Sequence, residues 1–324
     1  MKTVKIGLLG LGNIGTGTYK TLEMNKVQIT KATGLNLEIS KILERDTTRE
    51  RDITVCQEQF TQDPDEIFKN PDIDIVIELL GGIEPATTFM LDAMKNKKSV
   101  VTANKAAVAA NFQELTDVAK ANGVEFRYEA SVGGGIPIIN ALTTVLQAND
   151  FVEVQGIVNG TTNYILTQMT EFGLKYDDVL KKAQELGFAE ADPTADVEGI
   201  DVANKLSILI SIMFNTYVAP KDIPTKGISS ITQNDIEAAK AENSKIKLIA
   251  YAHKEGDKID YSVKPMLLNN SHPLASVSNE FNAVYVTGNA VGELMFYGKG
   301  AGPLPTGSAV MGDVLEIAKK LYNK

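Results

Sequence analysis

The stretch KIGLLGLGNIGTGTYKTL, residues 5–22, puts five glycines within eleven residues, after an apolar run and before a helical pattern. So bare a backbone narrows the folds open to the chain. Gly10, Gly12 and Gly15 spell G-x-G-x-x-G at a strand-to-helix junction, the arrangement of a dinucleotide-binding turn. The first glycine permits the tight turn, the second lets a pyrophosphate approach the main chain, and the third permits close helix-to-strand packing. The phosphates then rest on the N–H groups that open the helix, those of Asn13, Ile14 and Gly15, which have no partner inside it. A glycine turn without a ligand is the alternative. Position at the head of a repeating strand and helix series favours the cofactor.

Short β-rich runs recur at 4–9, 36–43, 73–80, 99–103 and 124–130. Between several of them lie helical stretches such as PATTFMLDAMKNKK, where Pro85 suits a first helical turn. Repeated strand, helix and strand predict an α/β fold with a doubly wound parallel sheet, the Rossmann architecture. After SVGGGIP, residues 131–137, the rhythm changes. Helical patterns dominate 138–215, broken by FVEVQGIV; KIKLIAYAHKEGDKIDYSVKPMLL then reads as two strands joined at Glu255, Gly256 and Asp257, and NAVYVTG and GELMFYG as a further pair. The predicted organisation is a cofactor-binding Rossmann domain over 1–130, completed by a C-terminal helix within 303–324, and an α+β substrate-binding, catalytic and dimerisation domain over 131–302. The final amphipathic helix is expected at 308–322.

A length of 324 residues exceeds one ordinary compact core, in keeping with two domains. No apolar run approaches the roughly 20 residues of a membrane span. The opening MKTVKIGLLG breaks at Gly10 and precedes no small-residue cleavage site, so it reads as a strand and the expected location is cytoplasmic. A net charge of -9 without clustered Lys and Arg argues against nucleic acid and for small-molecule chemistry. With Cys56 alone and two histidines there is neither an internal disulfide nor a Cys/His zinc pattern, so any metal must take oxygen ligands.

The end of the second strand should meet the adenosine ribose, and there the chain reads LERD. Glu44 suits the diol of NAD, whereas Arg45 suits the 2'-phosphate of NADP. The reading leans to NADP, with dual use open.

Together with GLGNIGTG, ELLGGIEPA and GAGPLPTGSAV, the stretches TANKAA, EASVGGGIPII, NGTTNYIL and FAEADPTADVEGIDVANKLSIL resemble homoserine dehydrogenase, in the family's order from first strand to last helix. The resemblance implies an NAD(P)-dependent oxidoreductase that interconverts L-homoserine and L-aspartate 4-semialdehyde, in threonine, methionine and isoleucine biosynthesis. Carried over, Lys205 is the proton-transfer lysine, Lys105 the second active-site lysine with cofactor and substrate contacts, and Glu190 the homoserine-binding acid, with Asp201 in the same polar cluster. Gly302 matches a cofactor-binding position. Asp201 and Lys205 are spaced i,i+4, which for an arbitrary pair means a surface ion pair. Asp192, Asp196 and Glu198 lie nearby and read equally well as helix N-terminal charges. The family's EASVGGGIP segment implies a monovalent cation such as sodium on Glu129 and the carbonyls of Val132, Gly134 and Ile136, where a plain glycine hinge is the alternative.

NGTTNYIL looks like a family signature, with Thr161 expected to cap the following helix and no catalytic role assigned. His253 and His272 read as structural, and Cys56 as a buried thiol, which argues against thiohemiacetal chemistry. Many family members carry a C-terminal ACT regulatory domain; the sequence ends after its last predicted helix, so it resembles a short form in which threonine feedback through such a domain is not expected. The late β-rich segments and the resemblance imply a homodimer, through a sheet formed across the interface. Two rivals stand beside this reading: another NAD(P)-dependent amino-acid or hydroxy-acid oxidoreductase on the same fold, and a noncatalytic NAD(P)-sensing protein.

Overall fold

The computed structural model describes residues 2–322. It falls into two compact units, one made of residues up to Gly135 and from Ala301 onward, the other of Ile136–Gly300.

In the first unit, strands β1 (Lys2–Leu9), β2 (Leu35–Leu43), β3 (Phe60–Thr61), β4 (Ile75–Glu78), β5 (Ser99–Thr102) and β6 (Phe126–Arg127) make one parallel sheet in the order β3-β2-β1-β4-β5-β6. Helices α1 (Asn13–Thr33), α2 (Asp65–Phe68), α3 (Ala86–Lys95), α4 (Lys105–Ala110) and α5 (Phe112–Asn122) connect them. β4 and β5 are buried along their whole length, as parallel strands covered on both faces must be. Their alternate residues feed two cores: Ile75, Ile77 and Val101 join Val4, Ile6 and Leu8, whereas Val76 and Val100 join Met90, Ala107 and Leu115. Each such aliphatic side chain contributes about 1.5–3 kcal/mol by leaving water. The strand expected over 124–130 is shorter, because the chain turns into a 3-10 helix at Glu129–Ser131, where the Glu129 N–H donates to Asp313 Oδ2 at 2.9 Å.

In the second unit, helices α6 (Ile138–Asn140), α7 (Gly160–Phe172), α8 (Tyr176–Glu185), α9 (Thr194–Val197), α10 (Ile200–Phe214) and α11 (Gln233–Ala241) accompany strands β7 (Phe151–Ile157), β8 (Ser244–Glu255), β9 (Lys258–Asn269), β10 (Phe281–Gly288) and β11 (Gly292–Lys299). The sheet is antiparallel, ordered β11-β10-β7-β8-β9. α10, IDVANKLSILISIMF, is apolar almost all round and therefore sinks against β8 rather than lying on the surface.

The last helix, α12 (Pro303–Tyr322), belongs to the first unit and lies on α1, where a Cβ on Gly17 would run into the Pro303 backbone. It starts earlier than the expected 308. Pro303 and Pro305 occupy its first turn, where no N–H is required and the fixed φ is already helical. Among the described residues no helix is long and apolar enough to cross a membrane.

Candidate active site

β1 delivers the chain to Gly10, at a φ of +91° that side-chain-bearing residues rarely adopt, and the Gly10 N–H donates to Leu43 O at 2.9 Å. A Cβ on Gly15 would run into the Gly10 carbonyl oxygen, so glycine is what lets α1 start this close to β1. Gly12 caps α1 without a side-chain hydrogen bond, and the first turn carries no acid. Helix geometry leaves the N–H groups of Asn13, Ile14 and Gly15 without intrahelical acceptors, a positive end suited to phosphate.

Beside this turn a cleft of about 700 Å³ opens past the carboxyl ends of β1, β2 and β4, lined among others by Gly10, Gly12, Arg45, Arg49, Leu79 and Gly81. It lies where the strand order reverses, between β1 and β4, the place where such sheets take ligands. Glu44 is committed to the protein: Oε2 accepts from the Leu11 N–H at 2.9 Å and pairs with Arg51 at 3.3 Å, and Oε1 accepts from the Asp46 N–H at 3.2 Å. Arg45, by contrast, is exposed at the cleft wall, and Arg49 lines the cleft with it. The second arginine drew no notice in the sequence, since it lies beyond the strand end where ribose contacts are sought.

Lys105 opens α4 directly after β5 and is half-buried. Asn104 caps that helix, accepting from the Ala107 N–H at 3.1 Å, and donates to Gly82 O at 2.6 Å. Next to Asn104 lies Glu78, fully buried at the end of β4, which accepts from the Thr102 hydroxyl at 2.6 Å and the Leu80 N–H at 2.7 Å. It thus ties the loops after β4 and β5 together, and burial pushes its carboxyl above the usual range. Sequence reasoning passed over Glu78, which reads as one more residue of an apolar strand. Gly302, at a φ of +119°, precedes α12, and its carbonyl accepts from the Thr306 N–H at 3.0 Å.

The second unit contains Glu190, Asp201 and Lys205. Asp201 and Lys205 share one face of α10 but form no surface pair: both are buried, with Nζ 2.7 Å from Oδ2. Nζ also donates to Val158 O at 2.6 Å, at the end of β7. The next residue, Asn159, donates through Nδ2 to Asp201 Oδ2 at 2.9 Å and to Asp196 Oδ1 at 2.7 Å. Asp201 is therefore joined through Asn159 to Asp196, while Glu190 stands exposed on the loop between α8 and α9. Asp192 is a local brace, accepting from the Thr194 hydroxyl at 2.6 Å. The expected cap Thr161 is corrected: α7 is capped by Asn159, whose Oδ1 accepts from the Thr162 N–H at 2.9 Å, and Thr161 donates instead to Phe188 O at 2.5 Å.

Glu129 is buried, and its N–H is held by Asp313, whose carboxyl burial pushes up to about 7, with the nearby Glu129 charge adding to the rise. Val132 is buried and Gly134 adopts a φ of +55° in the same unit. Ile136 belongs to the other, where its carbonyl accepts from the Ile138 N–H at 2.8 Å. Among the described residues no three His, Cys, Asp or Glu side chains group as metal ligands. Cys56, expected buried, is exposed: it precedes a short 3-10 turn rather than lying in a covered strand. His272 caps the turn Pro273–Ser276 through Nδ1, and His253 lies on β8 with Nδ1 3.3 Å from Glu153.

The family model for the homoserine dehydrogenase NAD binding domain matches residues 10–129, and that for homoserine dehydrogenase matches 137–315. A homoserine dehydrogenase of Bacillus subtilis is 45% identical over 99% of this chain and 74% of its own length. The solved homoserine dehydrogenase of Thiobacillus denitrificans superposes with a TM-score of 0.94 at 40% identity, covering 100% of this chain and 75% of that one. A hyperthermophilic archaeal homoserine dehydrogenase in complex with NADPH superposes with a TM-score of 0.81 at 28% identity, covering 99% and 98%.

Proposed function

The chain belongs to the homoserine dehydrogenase family, an NAD(P)-dependent oxidoreductase family, and from that premise we propose that it interconverts L-homoserine and L-aspartate 4-semialdehyde with Lys205 moving the proton. The observation that carries this is the buried Asp201–Lys205 pair, an amine held by one carboxylate and one carbonyl in an otherwise apolar helix. A bound nicotinamide supplies or accepts the hydride at C4 of the substrate. Lys205, as the neutral amine, takes the hydroxyl proton as the alcohol is oxidised, and in the reverse direction its ammonium gives that proton to the forming alkoxide. Lys105 acts as the second lysine, and Glu190 and Asp201 hold the amino-acid end of the substrate. Threonine, methionine and isoleucine biosynthesis would draw on the product, in the cytoplasm.

The cofactor cleft favours NADP, because Glu44, which also lines it, already accepts two main-chain N–H groups and pairs with Arg51, while Arg45 and Arg49 line the same space as exposed cations. A monovalent cation fits beside Glu129, a buried carboxylate next to glycine-rich backbone, with the carbonyls of Val132 and Gly134 as further hard donors; when bound it would hold this turn and take no part in the chemistry. A homodimer is supported by Met295 and Tyr297, which project exposed from the edge strand β11. Sedimentation velocity reads that state, and a monomer at micromolar concentration removes it.

The decisive experiment is homoserine oxidation followed by the absorbance of reduced nicotinamide, with NADP and NAD in parallel, on the wild type and on Lys205→Met. Turnover in the wild type with a loss of about 10³-fold in the variant is expected. Near-normal turnover by the variant refutes the proton role, and inactivity of the wild type on homoserine refutes the substrate.

A further inference from the structure

We infer that Asn159 is a positioning residue for the reaction, whose side-chain amide holds the Asp201 carboxylate in register with Lys205. This rests on the role given to Lys205 above. The amide is used in full. Oδ1 accepts from both the N–H and the hydroxyl of Thr162, at 2.9 and 3.0 Å, and the two Nδ2 hydrogens serve Asp196 at 2.7 Å and Asp201 at 2.9 Å. Turning it over would aim its oxygen at two carboxylates and its hydrogens at an N–H, so only one orientation satisfies all four contacts.

The placement couples two elements that meet nowhere else in sequence. Val158 and Asn159 are consecutive at the end of β7: the Val158 carbonyl accepts from Lys205 directly, and Asn159 fixes Asp201, the other acceptor on the same Nζ. One dipeptide thus acts on both the Val158 and the Asp201 hydrogen bond of the lysine. Asp201 Oδ2 receives both Nζ and Nδ2, so the amide decides which carboxylate oxygen faces the lysine and where it stops. Without that donor the carboxylate loses one of the contacts that orient it, and the Nζ it holds shifts from the direction Val158 imposes. Asp196, drawn to the same amide, links the short helix α9 to this arrangement. Asp196, Asp201 and Lys205 are the charged groups that the described hydrogen bonds bring to the amide.

Because Asn159 also caps α7, a bare loss of activity would prove nothing. Asn159→Ser separates the two functions: serine caps a helix about as well as asparagine but reaches neither carboxylate. The expected result is a melting temperature within a few degrees of wild type, kcat for homoserine lower by about 10- to 100-fold, and a KM changed far less. Asn159→Asp keeps cap and size but sets a third carboxylate against the other two. Its kcat relative to wild type at the same pH should be lowest at pH 8 and recover in part toward pH 6, as the new acid takes up a proton and can donate again, a recovery that a cap alone does not produce. Wild-type kcat in Asn159→Ser, in a preparation where Lys205→Met is inactive, overturns the inference while leaving the proton role intact. Should the serine variant not fold, the aspartate variant decides: activity relative to wild type that fails to recover on acidification overturns the inference as well.

Discussion

Lys247 is a buried cation that the proposed chemistry does not use, and its cost to the fold is measurable. It is 2% exposed on β8, and Nζ donates to Asn163 Oδ1 at 2.9 Å and to Val277 O at 2.6 Å. Burial is the main cause that lowers its pKa from 10.5 to about 7, the like charge of Lys245 adds to the fall, and Glu171 opposes it. Two acceptors suffice for the neutral amine, which keeps two N–H donors, so losing the proton breaks neither bond. The unfolded chain holds that proton up to pH 10.5, the folded chain only to about 7, so above pH 7 the unfolded state binds more protons and stability rises with pH. Below pH 7 both states are charged and the penalty is present in full.

In Lys247→Met the titration is gone while Asn163 and Val277 lose the same donor at every pH, a fixed cost that does not tilt with acidity. From these two values wild type should gain about 2 kcal/mol on the variant between pH 6 and pH 8.5. Amide hydrogen exchange of β8 and β10, corrected for the intrinsic dependence of exchange on pH, reads the opening free energy of this unit by itself. A difference that stays flat across that range means the folded protein keeps the ammonium, and that two carbonyl-type acceptors outweigh desolvation.

Gly15→Ala forces a methyl group against the Gly10 carbonyl, so NADPH binding should weaken by at least about tenfold, as read by nicotinamide fluorescence on titration; unchanged affinity would show that the turn has room to spare. Replacing Arg45 and Arg49 together by alanine should raise the dissociation constant of NADPH by about 10- to 100-fold and leave that of NADH nearly unchanged. An equal loss for both cofactors would place the arginines on a phosphate common to the two.

What the chain disclosed in one dimension was whatever depends on near neighbours. The glycine turn is legible because G-x-G-x-x-G, the strand before it and the helix after it lie within residues 5–22. The strands β2, β7, β8, β9 and β10 follow from local β-branched and aromatic runs in the same way. The misses have a common cause, which is that the deciding partner is remote. Glu78 gains its meaning from Thr102, Asn159 from Asp196 and Asp201, and Lys247 from Asn163, none of them within reach of a local pattern. NGTT offers three side chains able to cap α7, and the Asn159 amide does so in place of the expected hydroxyl. Two prolines near the start of α12 look like loop until their position in its first turn is seen.

The pair at the centre of the proposed chemistry shows how far spacing alone can go. Asp65 and Lys69 are also i,i+4, their charges 2.6 Å apart against 2.7 Å for Asp201 and Lys205, so neither spacing nor distance tells the two apart. Burial does. The first pair has side chains 52% and 67% exposed, and water and salt screen it to a contribution of about 0–1 kcal/mol. The second is 5% and 9% exposed, where an ion pair brings little net stability yet breaking it is costly, so its presence signals use rather than support. The difference is written in the residues around each pair. DEIF is a single turn that sends Ile67 and Phe68 to the core and leaves Asp65 in water, whereas IDVANKLSILISIMF sets one acid and one amine on a helix buried along most of its length. A helix that pays for two buried charges among so many apolar neighbours is more informative than the spacing that first drew attention to it.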